Sequence, residues 1–158
     1  MNLRQATPAD LPFVMETERW FCAQGFVGID EAPVHQAQMA SPDCLYLIVE
    51  ENGAPAGFAI LRGLANPNGS VELKRVAIAE PGQGLGRRFL RSLLQLVFDQ
   101  YGAHRLFLDV YPENVRARHL YQKLGFVEEG VMRECVRVED RYRSLILMSL
   151  LEAEYRRL

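Results

Sequence analysis

Residues 71–126 read VELKRVAIAEPGQGLGRRFLRSLLQLVFDQYGAHRLFLDVYPENVRARHLYQKLGF, and this stretch decides the fold. Val71–Ala79 has the β-branched and apolar content of a strand. Gly82-Gln83-Gly84-Leu85-Gly86 follows. Leu85, Phe89, Leu90, Leu93, Leu94, Val97 and Phe98 then recur at helical spacing to about Gln100. Arg105–Val110 is a short strand with little alternation, as a central strand requires. Asn114–Leu124 reads as a helix closed by Gly125. The first strand carries a parity fault. Val71 and Leu73 occupy odd positions and Val76 and Ile78 even ones, so strict alternation puts the pairs on opposite faces. One extra residue near Lys74-Arg75 restores a common face, which predicts a β-bulge. A strand buried on both faces is the alternative.

Outward from this stretch, residues 2–6 read as a first strand. Thr7-Pro8-Ala9-Asp10 opens a helix, with Thr7 as N-cap, Pro8 at the first helical position and Asp10 completing a variant capping box. That helix runs to about Ala23, with Gly25 and Gly28 beyond it. A shorter helix spans 31–40. Cys44–Glu50 and Ala56–Leu64 form a hairpin around Asn52-Gly53. Asn66-Pro67-Asn68-Gly69 leads into the strand at Val71. Phe126–Val138 and Arg143–Leu151 are the last strands. The order is β-α-α-β-β-β-α-β-α-β-β, an α/β chain with a mixed central sheet of about six to seven strands flanked by helices.

With 158 residues, the chain predicts one domain, 1–158, and its 49% hydrophobic and 24% charged content is that of a globular protein. A formal charge of -2 argues against a nucleic-acid partner. The start has no apolar signal region and no stretch is long enough to span a membrane. Cys22, Cys44 and Cys135 match neither a metal spacing nor a disulfide framework and read as reduced thiols. A cytoplasmic protein with no metal is expected.

The glycine turn joins a strand to an amphipathic helix, whose N-terminus aims N–H groups and a positive dipole at the turn. Arg87, Arg88 and Arg91 in its first turns oppose that dipole, so a bound phosphate or pyrophosphate accounts for them. A P-loop is excluded because no Gly-Lys pair exists, and a dinucleotide fingerprint because Arg87 and Phe89 stand where its last glycine belongs. A tight strand-to-helix connection without a ligand is the plainer alternative. The second constellation runs from Asp109 at a strand end, through Asn114 in a turn, to Tyr121-Gln122-Lys123-Leu124-Gly125-Phe126.

In this order, the two constellations resemble the GCN5-related N-acetyltransferase (GNAT) superfamily, most closely over residues 71–130. The resemblance implies the acyl-CoA N-acyltransferase fold, and acetyl-CoA as cosubstrate. It places Gly82, Gln83, Gly84, Leu85, Gly86, Arg87 and Arg88 on the pyrophosphate. Val76, Ala77 and Ile78 would pair with the pantetheine arm, Asn114 and Ala117 would line the cofactor's other side, and Tyr121 would sit near the sulfur. A splay between the fourth and fifth strands of that family fits the parity fault. Pro81 departs from the pattern: it stands three residues before the middle glycine, where the family often has Arg or Gln, and donates no N–H. The connection Ala79–Gly82 also looks a residue or two short.

The implied chemistry needs a neutral amine, a proton for the leaving thiolate and a donor for the oxyanion, for which a backbone N–H of Val76 or Ala77 serves. Tyr121 is the candidate acid, against a core packing role. Glu72 and Asp109 compete as base, against an ion pair for Glu72 and a strand-end hydrogen bond for Asp109. His35, His104 and His119 are read as structural or surface residues. The acceptor is a primary amine of a small molecule or protein, over a region holding Glu16, Glu18, Trp20, Phe21, Phe26, Asp30, Glu31 and His35, whose acids and aromatics suit a cation. Solvated acids and core aromatics are the plainer reading. Residues 129–134 and 141–143 look like the ribosomal-protein and polyamine acetylating branches, too briefly to choose an acceptor. The apolar run Leu145–Leu151 motivates a homodimer, unless it is core. A CoA-binding sensor without turnover is the second functional class.

Overall fold

The computed structural model describes residues 1–26, 28–80 and 84–158. Its strands are β1 (Asn2–Gln5), β2 (Cys44–Glu51), β3 (Ala54–Arg62), β4 (Ser70–Ile78), β5 (Arg105–Val110), β6 (Val127–Val138) and β7 (Arg141–Leu151). Its helices are α1 (Leu11–Ala23), α2 (Ala32–Met39), α3 (Leu85–Gln95), α4 (Val115–Lys123) and a short α5 (Glu152–Tyr155). The strands make one seven-stranded sheet in the order β1-β2-β3-β4-β5-β7-β6. Among the described residues β4 and β5 alone pair in parallel; the other neighbours are antiparallel. The expected element order is thus observed, with α5 added.

Thr7 caps a single 3-10 turn, Pro8–Asp10, that leads directly into α1, so the α-helix itself starts three residues later than the capping residues predict. The Thr7 N–H donates to the Asp10 carboxylate at 2.7 Å, which closes the exposed first turn. Arg4 on β1 donates to both oxygens of the same carboxylate, at 2.7 and 2.8 Å, and so ties the helix start to the sheet. Hydrogen bonding from Arg4, helped by Thr7, outweighs the opposing effect of burial and keeps Asp10 ionised, its pKa held far below the ordinary carboxylate range.

Alternation on the strands divides the core in two. Leu45, Leu47, Val49, Ala59 and Leu61 join Leu85, Phe89, Leu90, Leu93 and Val97 under α3 and α4. Tyr46, Ile48, Phe58, Ile60 and Ala77 join Val14 under α1 and α2. Each strand therefore serves both layers, which is why β2 and β3 read as nearly continuous apolar runs. Ile146, Met148 and Leu150 of β7 are buried in the α3/α4 cluster.

The parity fault in β4 is a bulge. Leu61 pairs with Leu73 and Ile60 with Arg75, leaving Lys74 without a partner on β3. Val71, Leu73, Val76 and Ile78 consequently all pack on the α3/α4 cluster. Lys74 and Arg75, consecutive in sequence, both reach toward α1 and α2. Beyond the bulge β4 leaves its other neighbour as well: β5 pairs only with Ser70, Val71 and Glu72. From Leu73 to Ile78 the β5-facing edge of β4 is open, and a wedge divides the sheet there.

Candidate active site

The wedge widens into a groove of about 850 Å³ that Leu73–Ile78 of β4 and Leu108–Val110 of β5 line from its two sides. That volume lies within the ~300–1,000 Å³ of small-molecule sites. Two ends can be told apart by what else lines them. One is built from Gly84–Arg87 of α3 and Asn114–Ala117, Leu120 and Tyr121 at and on α4. The other is built from Trp20, Phe21, Gln24, Phe26 and Gly28 of α1 and the chain after it, with Tyr111, Val136 and Leu145.

At the first end, Gly84 is the N-cap of α3, with φ +75°. That left-handed conformation costs an L side chain ~1–2 kcal/mol, so glycine is the residue it accepts. The cap leaves the first N–H groups of α3 facing the groove without intrahelical partners. Arg87 lines the groove, whereas Arg88 turns away and donates to Glu51 at 2.6 Å. Gly82 and Gln83, with Pro81, lie outside the described residues. Asn114 caps α4: its side-chain oxygen accepts the Ala117 N–H at 3.2 Å, which leaves its amide N–H groups for a ligand.

Tyr121 and Asp109 approach the wedge from different layers. Tyr121 is buried in the α3/α4 cluster, tilted against Phe126 with ring centroids 5.7 Å apart, and borders the groove. Burial, with a smaller push from the Asp109 charge, raises its pKa well above the ordinary tyrosine value. The phenol therefore stays protonated. Leu108 and Val110 belong to the α3/α4 cluster, so Asp109 between them points to the opposite face. It borders the groove with no hydrogen-bond partner among the described residues. Desolvation by the groove walls raises its pKa, and the nearby Glu72 carboxylate adds to the shift.

Glu72 is not brought into the groove. It is the cross-strand partner of Arg62, whose guanidinium lies 2.6 Å from its carboxylate. The ion pair weighed in the sequence is the observed one, and of the two carboxylates only Asp109 borders the cavity.

The acids expected around the acceptor are placed differently from a free anionic pocket. Glu18 and His35 are fully buried, with His35 Nε2 3.0 Å from Glu18 Oε2 and His35 Nδ1 2.9 Å from the Tyr46 hydroxyl. Arg75 binds Glu18, and Lys74 binds Asp30 and also donates to Gln38 Oε1 at 3.2 Å. The bulge thus turns two cations onto the acids of α1 and the α1–α2 connection and neutralises them. Glu16 and Glu31 are exposed and do not line the groove. Trp20, Phe21 and Phe26 line the groove as an aromatic wall, with Trp20 half exposed at its mouth and Phe21 also packed against the core cluster under α1 and α2.

Arg143 was not singled out from the sequence. Its guanidinium stacks 3.8 Å from the Tyr111 ring centroid, donates to the Gly25 carbonyl at 2.9 Å and meets Glu113 at 3.2 Å. It ties β7 to the end of α1 beside the aromatic end of the groove. Nothing local marks it among sixteen arginines. For Lys74 and Arg75 a signal existed: a basic pair interrupts an apolar strand at its parity fault, in a chain with two lysines.

The comparisons agree with this geometry. The family model described as Acetyltransferase (GNAT) family matches residues 14–126. The chain belongs to that family. It is 34% identical over 121 residues to the N-alpha-acetyltransferase RimI of Mycobacterium tuberculosis, covering 73% of this chain and 74% of the relative. It is 34% identical over 80 residues to the spermidine N(1)-acetyltransferase of Vibrio cholerae, covering 51% of this chain and 46% of the relative. The match to the spermidine N(1)-acetyltransferase of Escherichia coli K12 is 29% over 109 residues, covering 68% and 59%. The chain thus spans about half the length of these polyamine relatives. The fold superposes on the Vibrio cholerae spermidine N-acetyltransferase solved with CoA and spermine at a TM-score of 0.86, with 24% identity over 98% of this chain and 96% of that one.

Proposed function

We propose that this chain is an acetyl-CoA-dependent N-acetyltransferase that acetylates a primary amine of a small molecule within a ternary complex. One observation carries the reading: a single groove passes through the β4/β5 wedge, bordered by a helix N-terminus at one end and by Asp109 and Tyr121 between the ends. A helix N-terminus beside Arg87 suits a pyrophosphate. An open strand edge suits the amide arm of pantetheine, which can add to the sheet as a short strand.

The chemistry then divides between the two layers. An alkylammonium near pKa ~10.4 must lose a proton before it attacks. Asp109, directly or through a water, takes that proton. The amine nitrogen bonds to the thioester carbonyl carbon, and a backbone N–H at the bulged end of β4 stabilises the oxyanion. The C–S bond breaks, and the sulfur takes a proton from the Tyr121 hydroxyl. The second proton of the acylated nitrogen leaves to solvent and Tyr121 is reprotonated, so each turnover releases one net proton. The raised pKa of Tyr121 keeps the acid loaded.

The relatives acetylate polyamines or α-amino groups by their names, and both are primary amines. A groove of small-molecule volume, tied at its acceptor end by Arg143, favours the small amine. The test is thiol release from acetyl-CoA over an amine panel, with CoA affinity measured by calorimetry. Tyr121→Phe should lower kcat by about 100-fold with little change in CoA affinity. CoA binding without turnover of any amine would instead favour a sensor of the acyl-CoA pool.

A further inference from the structure

We infer that the acceptor is a primary monoamine with an aromatic body, an arylalkylamine, rather than a multiply charged polyamine; the inference rests on the transferase reading above. Two independent observations lead to it. The first is charge. A polyamine that presents one amine for reaction keeps further ammonium groups, each of which needs an anion to compensate lost hydration. Among the described residues lining the groove, the carboxylates are Asp109 and Glu113. Glu113 is held by Arg143 at 3.2 Å. Asp30 and Glu18, on α1 and the chain after it, are bound by Lys74 and Arg75 from the bulge. Of the groove-lining carboxylates, Asp109 is the one without an ion pair among the described residues, and it is left to receive one ammonium.

The second observation is the wall itself. Trp20 and Phe21 meet edge to face with centroids 4.7 Å apart, and Phe26 and Tyr111 line the same end. Trp20 keeps about half of its surface exposed at the mouth of a groove, where an unoccupied indole loses nothing by stacking on a flat apolar ligand.

Phenethylamine, ethylamine and spermidine separate the terms. At saturating acetyl-CoA, kcat/KM for phenethylamine should exceed that for ethylamine and for spermidine by about tenfold or more, the scale of burying one ring. Trp20→Ala should collapse the phenethylamine-to-ethylamine ratio toward one. A preference for spermidine over both monoamines, or a ratio unmoved by the substitution, would overturn the inference while leaving the transferase reading intact. Trp20 is the chain's single tryptophan, so its fluorescence gives a readout without turnover. In the CoA-loaded protein, saturable quenching by phenethylamine but not by spermidine would uphold the aromatic site even if no amine were acetylated. Equal or absent responses, with no turnover, would remove both readings.

Discussion

Asp109 carries opposite consequences for activity and for stability. Its carboxyl is raised above the ordinary value by desolvation and by Glu72. A group whose folded pKa is raised binds more protons folded than unfolded, so it weakens the fold as pH rises from the ordinary carboxylate value through the raised one. Above that window the penalty is constant. Asp109→Asn should therefore raise the melting temperature at neutral pH while lowering kcat by about 100-fold or more. In the unmodified protein, activity should fall as pH drops through the raised pKa, because the base is then protonated. A variant that is less stable, or a pH profile flat on its acid side, contradicts this assignment. Asp109 was legible as an acid interrupting an apolar strand. An ion pair was open for Glu72 from the sequence; that Arg62 is the partner was not legible, because the two meet through the cross-strand register of β3 and β4.

At the scale of elements, two short devices fix β4 and the first helix. Gly57 on β3 lies opposite Ile78, and a Cβ there would meet the Ala77 carbonyl oxygen at 2.6 Å and Ile78 Cδ1 at 2.7 Å. Gly57→Ala should push the last residues of β4 toward the groove, costing about 1–3 kcal/mol and weakening CoA binding. Denaturant unfolding and calorimetry on the same variant measure the two effects. Asp10→Ala removes both the helix cap and the Arg4 bridge and should cost about 2 kcal/mol or more. The stabilisation from Asp10 is present above the ordinary carboxylate value and fades as pH falls toward its depressed one, so the variant's deficit should shrink in acid. The cap was readable because Thr-Pro-x-Asp is local chemistry. The bulge was readable because two alternations out of phase need one inserted residue. α5 carries no such mark, being one turn held at Leu151 by the Glu154 carboxylate, which accepts that residue's N–H at 2.9 Å.

Over the whole molecule, the β-α-β-α segment at 71–126 organises everything else, and its order was enough to give the fold. The charge balance of the acceptor end was not legible, since acids on α1 and cations on β4 meet only once both are folded onto one face. The sheet has β1–β4 with α1 and α2 on one side of the wedge and β5–β7 on the other, joined across it by pairing at Ser70, Val71 and Glu72. The arrangement is like two covers on a short spine. Backbone amides on the open edge of β4 have no ladder partner to protect them, so deuterium should replace their protons far sooner than those paired with β3. Adding CoA should slow that clock along Val76–Ile78, and leave it running at the same rate in β2, which is bonded on both sides with or without a ligand.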